Sequence, residues 1–127
     1  MKTELRLIGE FQELGYSRDP NAPRLADVRG KRRLGNKAAV VRYLRGGRPF
    51  IYSPGLDTDV FDPTKTSDTP SVFTDGAYAW RELIAYYVDR YDIELPLAFE
   101  IHMEGNGWKN PGSIDISQLT LPARTAL

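Results

Sequence analysis

The sequence predicts an α+β fold: a small antiparallel sheet carrying a Thr-Asp-Gly hairpin, packed against three to four helices. Three observations point there. Apolar residues recur at helical spacing over 40–44 and again over 83–91. Two β-prone runs flank Asp75-Gly76, the strongest short-range hairpin signal. The chain has 127 residues, 41% of them apolar, with five Phe, seven Tyr and two Trp, which fits one domain able to bury a core of its own. The expected organisation is a single domain over 1–127, with its core at 36–103 and a partly irregular C-terminal segment at 105–127.

Taken in order, residues 3–14 read as a helix, because Leu7, Phe11 and Leu14 fall at i, i+4, i+7. Leu5 and Leu7 also alternate with Arg6 as in a strand, and Gly9 weakens a helix. Gly15 suits a helix stop. Residues 16–35 form a connector with turn chemistry at Asp19-Pro20-Asn21-Ala22-Pro23, a short helical turn around Arg24–Val28 and a basic run, Arg29, Lys31, Arg32, Arg33. Asn36 is placed to cap the next helix through its side chain. Val40, Val41 and Leu44 form its apolar stripe, and Gly46-Gly47 ends it by taking the left-handed conformation. Phe50-Ile51-Tyr52 reads as a short strand closed by Pro54-Gly55. Residues 55–71 read as a long loop, a length associated with function.

Val72–Trp80 is then the hairpin, with Asp75-Gly76 as its two central residues at positive φ and Phe73, Tyr78 and Trp80 feeding a sheet face. A helix over about 81–91 follows, its buried face made by Leu83, Ile84, Tyr87, Val88 and Tyr91, with no good capping residue before it. A last helix starts near Pro96, places Phe99 and Met103 on one face and stops at Gly105. Ile114 and Ile116 alternate as an edge strand in an otherwise loose tail.

Composition removes several function classes. There is no cysteine, which excludes disulfides and thiolate zinc sites. No run reaches the roughly 18 apolar residues of a membrane span. Met1–Glu10 lacks the apolar core and small-residue cleavage site of a signal peptide. The expectation is a soluble cytoplasmic protein without membrane association. Net charge is zero but segregated: residues 1–50 carry 12 Lys and Arg against 5 Asp and Glu, and residues 51–127 carry 5 against 12. That pattern marks either a charged partner surface or two halves whose charges mix on packing.

Catalytic chemistry has little to draw on. The only histidine, His102, falls beside the Phe99/Met103 face, where a structural role is the ordinary one; catalysis there needs an orienting partner and a reactive group nearby. Asp57, Asp59 and Asp62 resemble the start of a calcium loop, but its sixth and twelfth positions hold Asp62 and Asp68 in place of glycine and glutamate. These aspartates either cap turns of a solvated loop or form an acidic finger for a basic partner. The Arg29–Arg33 run lacks interleaved aromatics for stacking on bases, so it reads as a solvated turn rather than a nucleic-acid contact. No phosphate-loop pattern occurs. Neither a cofactor nor a metal is expected. Tyr86, one turn from Glu82 and Arg90 and opposite the apolar stripe, suits an interface anchor or a tyrosine stem lying on the surface.

A set of motifs in fixed order carries a resemblance: Arg42-Tyr43-Leu44-Arg45-Gly46-Gly47, Ser53-Pro54-Gly55, Asp59-Val60-Phe61-Asp62-Pro63, Thr74-Asp75-Gly76 with Tyr78 and Trp80, Leu83-Ile84-Ala85-Tyr86-Tyr87-Val88 with Tyr91, and Leu95-Pro96 with Phe99 and His102. Over about residues 36–103 this order resembles a family of short bacterial proteins. Some of its members look like immunity proteins of polymorphic-toxin systems, including contact-dependent growth inhibition. Residues 1–35 and 104–127 lie outside the likeness. The resemblance implies a single small domain, no catalytic residues to carry over, and a partner that is the C-terminal domain of a cognate toxin, expected to be a basic nuclease. The residues expected to meet it are Asp57, Asp59 and Asp62 on the loop, Asp75 at the hairpin tip, and Glu82, Tyr86 and Asp89 on the helix, with the carboxylates steering a basic partner. Two other readings stay open: a nucleic-acid-associated regulator using Arg29–Arg33, and a small hydrolase built on His102. Oligomeric state does not follow from the sequence.

Overall fold

The structure is a computed structural model that describes residues 2–33 and 35–122. The last five residues of the expected C-terminal segment therefore lie outside the described residues. Over the described residues the architecture is α+β with four helices, one four-stranded mixed sheet and one two-stranded parallel sheet. Its elements are β1 (Thr3–Glu4), β2 (Arg6–Leu7), α1 (Leu25–Val28), α2 (Lys37–Arg45), β3 (Arg48–Ile51), β4 (Val72–Thr74), β5 (Tyr78–Arg81), α3 (Leu83–Tyr91), α4 (Leu97–Gly105) and β6 (Leu119–Thr120). The larger sheet runs β2-β5-β4-β3, and β1 pairs with β6.

The sheet is mixed where a purely antiparallel one was expected, and the reason lies at the N-terminus. Residues 3–14 do not form the expected helix. Thr3–Leu7 is extended and bridges two partners: Leu5 N–H donates to Thr120 O on one side, while Arg6 and Ile8 N–H donate to Ala77 and Ala79 O on the other. Both pairings are parallel. Gly9, at φ 78°, turns the chain out of the sheet, and a Cβ there would stand 2.9 Å from the Ile84 side chain. Only a short 3-10 turn at Gln12–Leu14 remains of the helix, ended by Gly15 at φ 81°. The Glu13 carboxylate then accepts from the Leu25 and Ala26 N–H groups, both at 2.7 Å, and so caps α1 from outside.

The hairpin is present but centred one residue later than expected. Gly76-Ala77 are the central pair, and positive φ occurs only at Gly76. Asp75 stays at the strand end because its Oδ1 accepts from the Ala77 and Tyr78 N–H groups. β3 begins at Arg48 rather than Phe50, on an edge that tolerates Pro49, and Tyr52 lies outside it, 79% exposed. Ile114 and Ile116 are not the C-terminal strand. That role falls to Leu119–Thr120, preceded by a 3-10 turn at Ile116–Gln118.

α2, α3 and α4 form as the apolar stripes predicted, with two differences at the ends of α2. Asn36 sits at the N-cap, yet its side chain makes no cap bond and its Oδ1 is buried without a partner. Gly46 has φ −93°, so the helix does not end through a left-handed glycine. Gly47 is needed for space: a Cβ there would meet Trp80 Cζ2 at 2.7 Å and Phe73 Cβ at 3.0 Å. The main core lies between this helical layer and one sheet face, around Trp80, Tyr43, Tyr87, Phe99 and Leu44. A smaller core of Leu5, Val72 and Ala79 forms on the opposite sheet face, covered by Leu119, Leu121, Phe50 and Ile51. This two-sided burial follows from the alternation of side chains along β4 and β5. Among the described residues no helix is long and apolar enough to cross a membrane.

Candidate functional site

The 55–71 loop is fastened to α3 rather than free. Asp59 is 1% exposed. Its Oδ1 accepts from the Phe61 and Asp62 N–H groups at 2.7 and 3.1 Å, and its Oδ2 accepts from the Tyr86 and Tyr91 hydroxyls at 2.7 and 2.6 Å. Burial alone would raise the pKa of this carboxyl, but the two hydroxyls and two amides hold it below the usual range. The Tyr87 hydroxyl accepts from Val60 N–H, and Phe61 packs edge-on against Tyr91 with Arg29 lying over both rings. Asp57 is half-buried and accepts from the Tyr16 hydroxyl at 2.6 Å; burial and this carboxylate push the phenol up to about 12. Asp62 accepts from Thr64. The loop aspartates thus cap turns and bind tyrosines.

Of the other expected partner residues, Glu82 accepts from Thr69, and Tyr86 is half-buried with its hydroxyl turned onto Asp59. Tyr86 is therefore not a free anchor in this structure. Asp89 is exposed on α3. Asp75 is 4% exposed, so the hairpin tip does not offer its carboxylate to solvent. Instead its Oδ2 accepts from the Tyr43 hydroxyl at 2.5 Å and lies 2.8 Å from His102 Nε2. Asn106 donates to the same Tyr43 hydroxyl. His102 leans on Tyr78 and Phe99, and its side chain remains 27% exposed. The imidazole is thus half-buried and oriented by a carboxylate, where the sequence suggested only an inward-facing ring. It ties the end of α4 to the hairpin.

The basic run is divided. Arg32 makes a buried two-pronged pair with Glu100 at 2.6 and 3.0 Å, Arg29 lies on aromatic rings, and Lys31 and Arg33 are exposed. Burial pushes the Glu100 carboxyl up against the opposing pull of Arg32. Among the described residues no three His, Cys, Asp or Glu side chains converge as a metal site.

The feature that sequence reasoning missed is the outer face of α4. Leu97 and Ile101 are 67% and 59% exposed. They lie opposite Phe99 and Met103, since two residues turn a helix by about 200°. The signal was legible as apolar residues at 97, 99, 101 and 103, a spacing that no one-sided helix produces. Glu94, in the segment leading into α4, and Glu104, near its end, are both exposed three residues from the pair on either side in sequence. Clefts of about 310 and 220 Å³ open beside Leu97, which with Leu95 and Glu94 walls both. A third cleft of about 320 Å³ adjoins the first, sharing Gly9, Pro23 and Pro96. His102 lines none of these three.

No protein-family model matches the chain, and no curated protein or solved structure matches it either.

Proposed function

We propose that this chain is an immunity protein, which binds the C-terminal domain of a cognate bacterial toxin in the cytoplasm and neutralises it without chemistry of its own. The observation that carries the reading is α4. A helix of nine residues that buries Phe99 and Met103 inward and leaves Leu97 and Ile101 outward has an apolar face without a cover. Paired aliphatics beside concavities, with carboxylates around them, have the anatomy of a protein interface: an anchor to be desolvated and a charged rim. The excess of acid in residues 51–127 suits a basic partner such as a nuclease. The motif order over 36–103 supports the same class. Of the loop, hairpin and helix residues first expected at the interface, Asp89 is the most accessible. Asp75 holds α4 against the hairpin through His102, while Asp59 and Tyr86 fasten the loop to α3.

The test is co-purification with the toxin domain encoded by the adjacent gene, combined with survival of cells that express that domain. The expected result is a stable complex and rescued growth. A chain that neither binds nor rescues overturns the proposal.

One observation favours a second reading, a small hydrolase: His102 is half-open to solvent and held by the buried Asp75. A carboxylate-oriented imidazole is the usual form of a general base. On that reading, His102→Gln abolishes a measurable turnover; on the proposed one, the variant still binds and protects.

A further inference from the structure

The α4 face does not end at Leu97. The cleft beside it, walled by Phe11, Val28, Leu95 and Pro96, runs on through Gly9, Pro23 and Pro96 into the third cleft. That continuation is lined by apolar Ile8, Ala22 and Pro23 together with Glu10, Asp19 and Tyr16. The two carboxylates differ. Glu10 faces buried Arg81 Nε at 3.2 Å through both oxygens, so its charge is largely balanced. Asp19 accepts the Asn21 N–H at 2.9 Å through Oδ1, and among the described residues no cation lies within ion-pair distance of it. The groove is therefore largely apolar and acidic, with Glu94 beside Leu97 and Asp19 in the adjoining cleft.

We infer that this groove receives an extended segment of the toxin partner, with an apolar side chain against Leu97 and a Lys or Arg whose stem lies on Pro23 and Pro96 and whose head reaches Asp19. This rests on the immunity reading and adds to it the chemistry of the bound segment. A long cationic side chain is the type that suits both halves of such a groove, because its methylenes cover apolar surface while its head stays polar. A carboxylate-bearing segment is disfavoured by Asp19, and a wholly apolar one would leave that carboxylate facing an unmatched, desolvated end. Leu97 is the apolar anchor, and Asp19 is the carboxylate that the cationic head meets.

The experiment measures affinity and association rate of the adjacent-gene toxin domain for the full chain, three substitution variants and one truncated chain. Leu97→Glu, at an exposed position, weakens binding about 30-fold or more, as loss of a central anchor does. Asp19→Lys weakens it about tenfold, mostly in association rate, and the loss shrinks as salt is raised. Glu4→Lys, exposed on β1 and not among the groove's lining residues, changes affinity less than about threefold by the same measure. Circular dichroism and melting temperature check that each variant is folded. If the unaltered chain binds but Leu97→Glu and Asp19→Lys bind equally well, the groove inference is overturned and the immunity reading stands. If the unaltered chain does not bind, both fall. A chain ending at Pro122 binds as the full chain does; a tenfold gain on that truncation would assign the groove to residues 123–127 and overturn the inference.

Discussion

Asp59 and Asp75 are both nearly fully buried, and their carboxylates gather groups from two and three separate segments respectively. Asp59 joins its own loop to Tyr86 and Tyr91 of α3; Asp75 joins the hairpin turn to Tyr43 of α2 and His102 of α4. An amide cannot accept from four donors as a carboxylate does, so Asp59→Asn should destabilise the fold by about 2–3 kcal/mol, read from urea midpoints. The pH dependence has a definite sign. The folded pKa of Asp59 lies below the ordinary carboxyl value, so its stabilisation is complete above the unfolded value and is lost as pH falls through the folded one. The unaltered chain should therefore lose stability as pH falls below the ordinary carboxyl range of about 4, and Asp59→Asn should show a flatter profile there. Tyrosine behaves in the opposite sense. Burial, aided at all five by a nearby aspartate, raises Tyr16, Tyr43, Tyr86, Tyr87 and Tyr91, so the stability they confer holds below the usual phenol range and disappears as pH rises through the folded values. In an alkaline absorbance titration these five should ionise together with unfolding.

At the level of elements, Gly47 fixes how closely the end of α2 approaches the sheet. Trp80, whose Nε1 donates to Leu44 O at 2.9 Å, fills the space that a side chain at 47 would need. Gly47→Ala should cost about 1–3 kcal/mol by overpacking, visible as a lower melting temperature. The role of that glycine was not legible, because the residue it accommodates lies 33 positions along the chain; its place after a helical stripe was. Elements whose signal is local were read well: α3 from its i, i+4 face, α4 from Phe99 and Met103, the hairpin from Asp-Gly. Elements defined by distant pairing were not. Leu5 and Leu7 carry the alternation of a strand, but choosing strand over helix needed β5 and β6, the latter more than 110 residues away. The candidate surface divided in the same way. The aspartates were conspicuous as a cluster, and nothing local said that tyrosines from α3 and the N-terminal region would bond them. The outward pair Leu97 and Ile101 was visible in the sequence as the unused half of an apolar helix.

Across the whole molecule, the sheet carries two cores of unequal size, and the smaller depends on the last strand. Leu119 and Leu121 cover Leu5, Val72 and Ala79, so ending the chain before Leu119 should expose that face, lower the stability and raise binding of a hydrophobic dye, with α2, α3 and α4 still giving a helical spectrum. The same strand has a mechanical consequence. β1 and β6 lie side by side and parallel. Tension entering at Thr3 and leaving at Thr120 would drag the two strands in opposite senses along their length. Their bridging bonds would then bear the load together, in shear, whereas strands such as β4 and β5 can be peeled apart one bond at a time. A tug on the two tails thus meets the sheet in its most resistant direction.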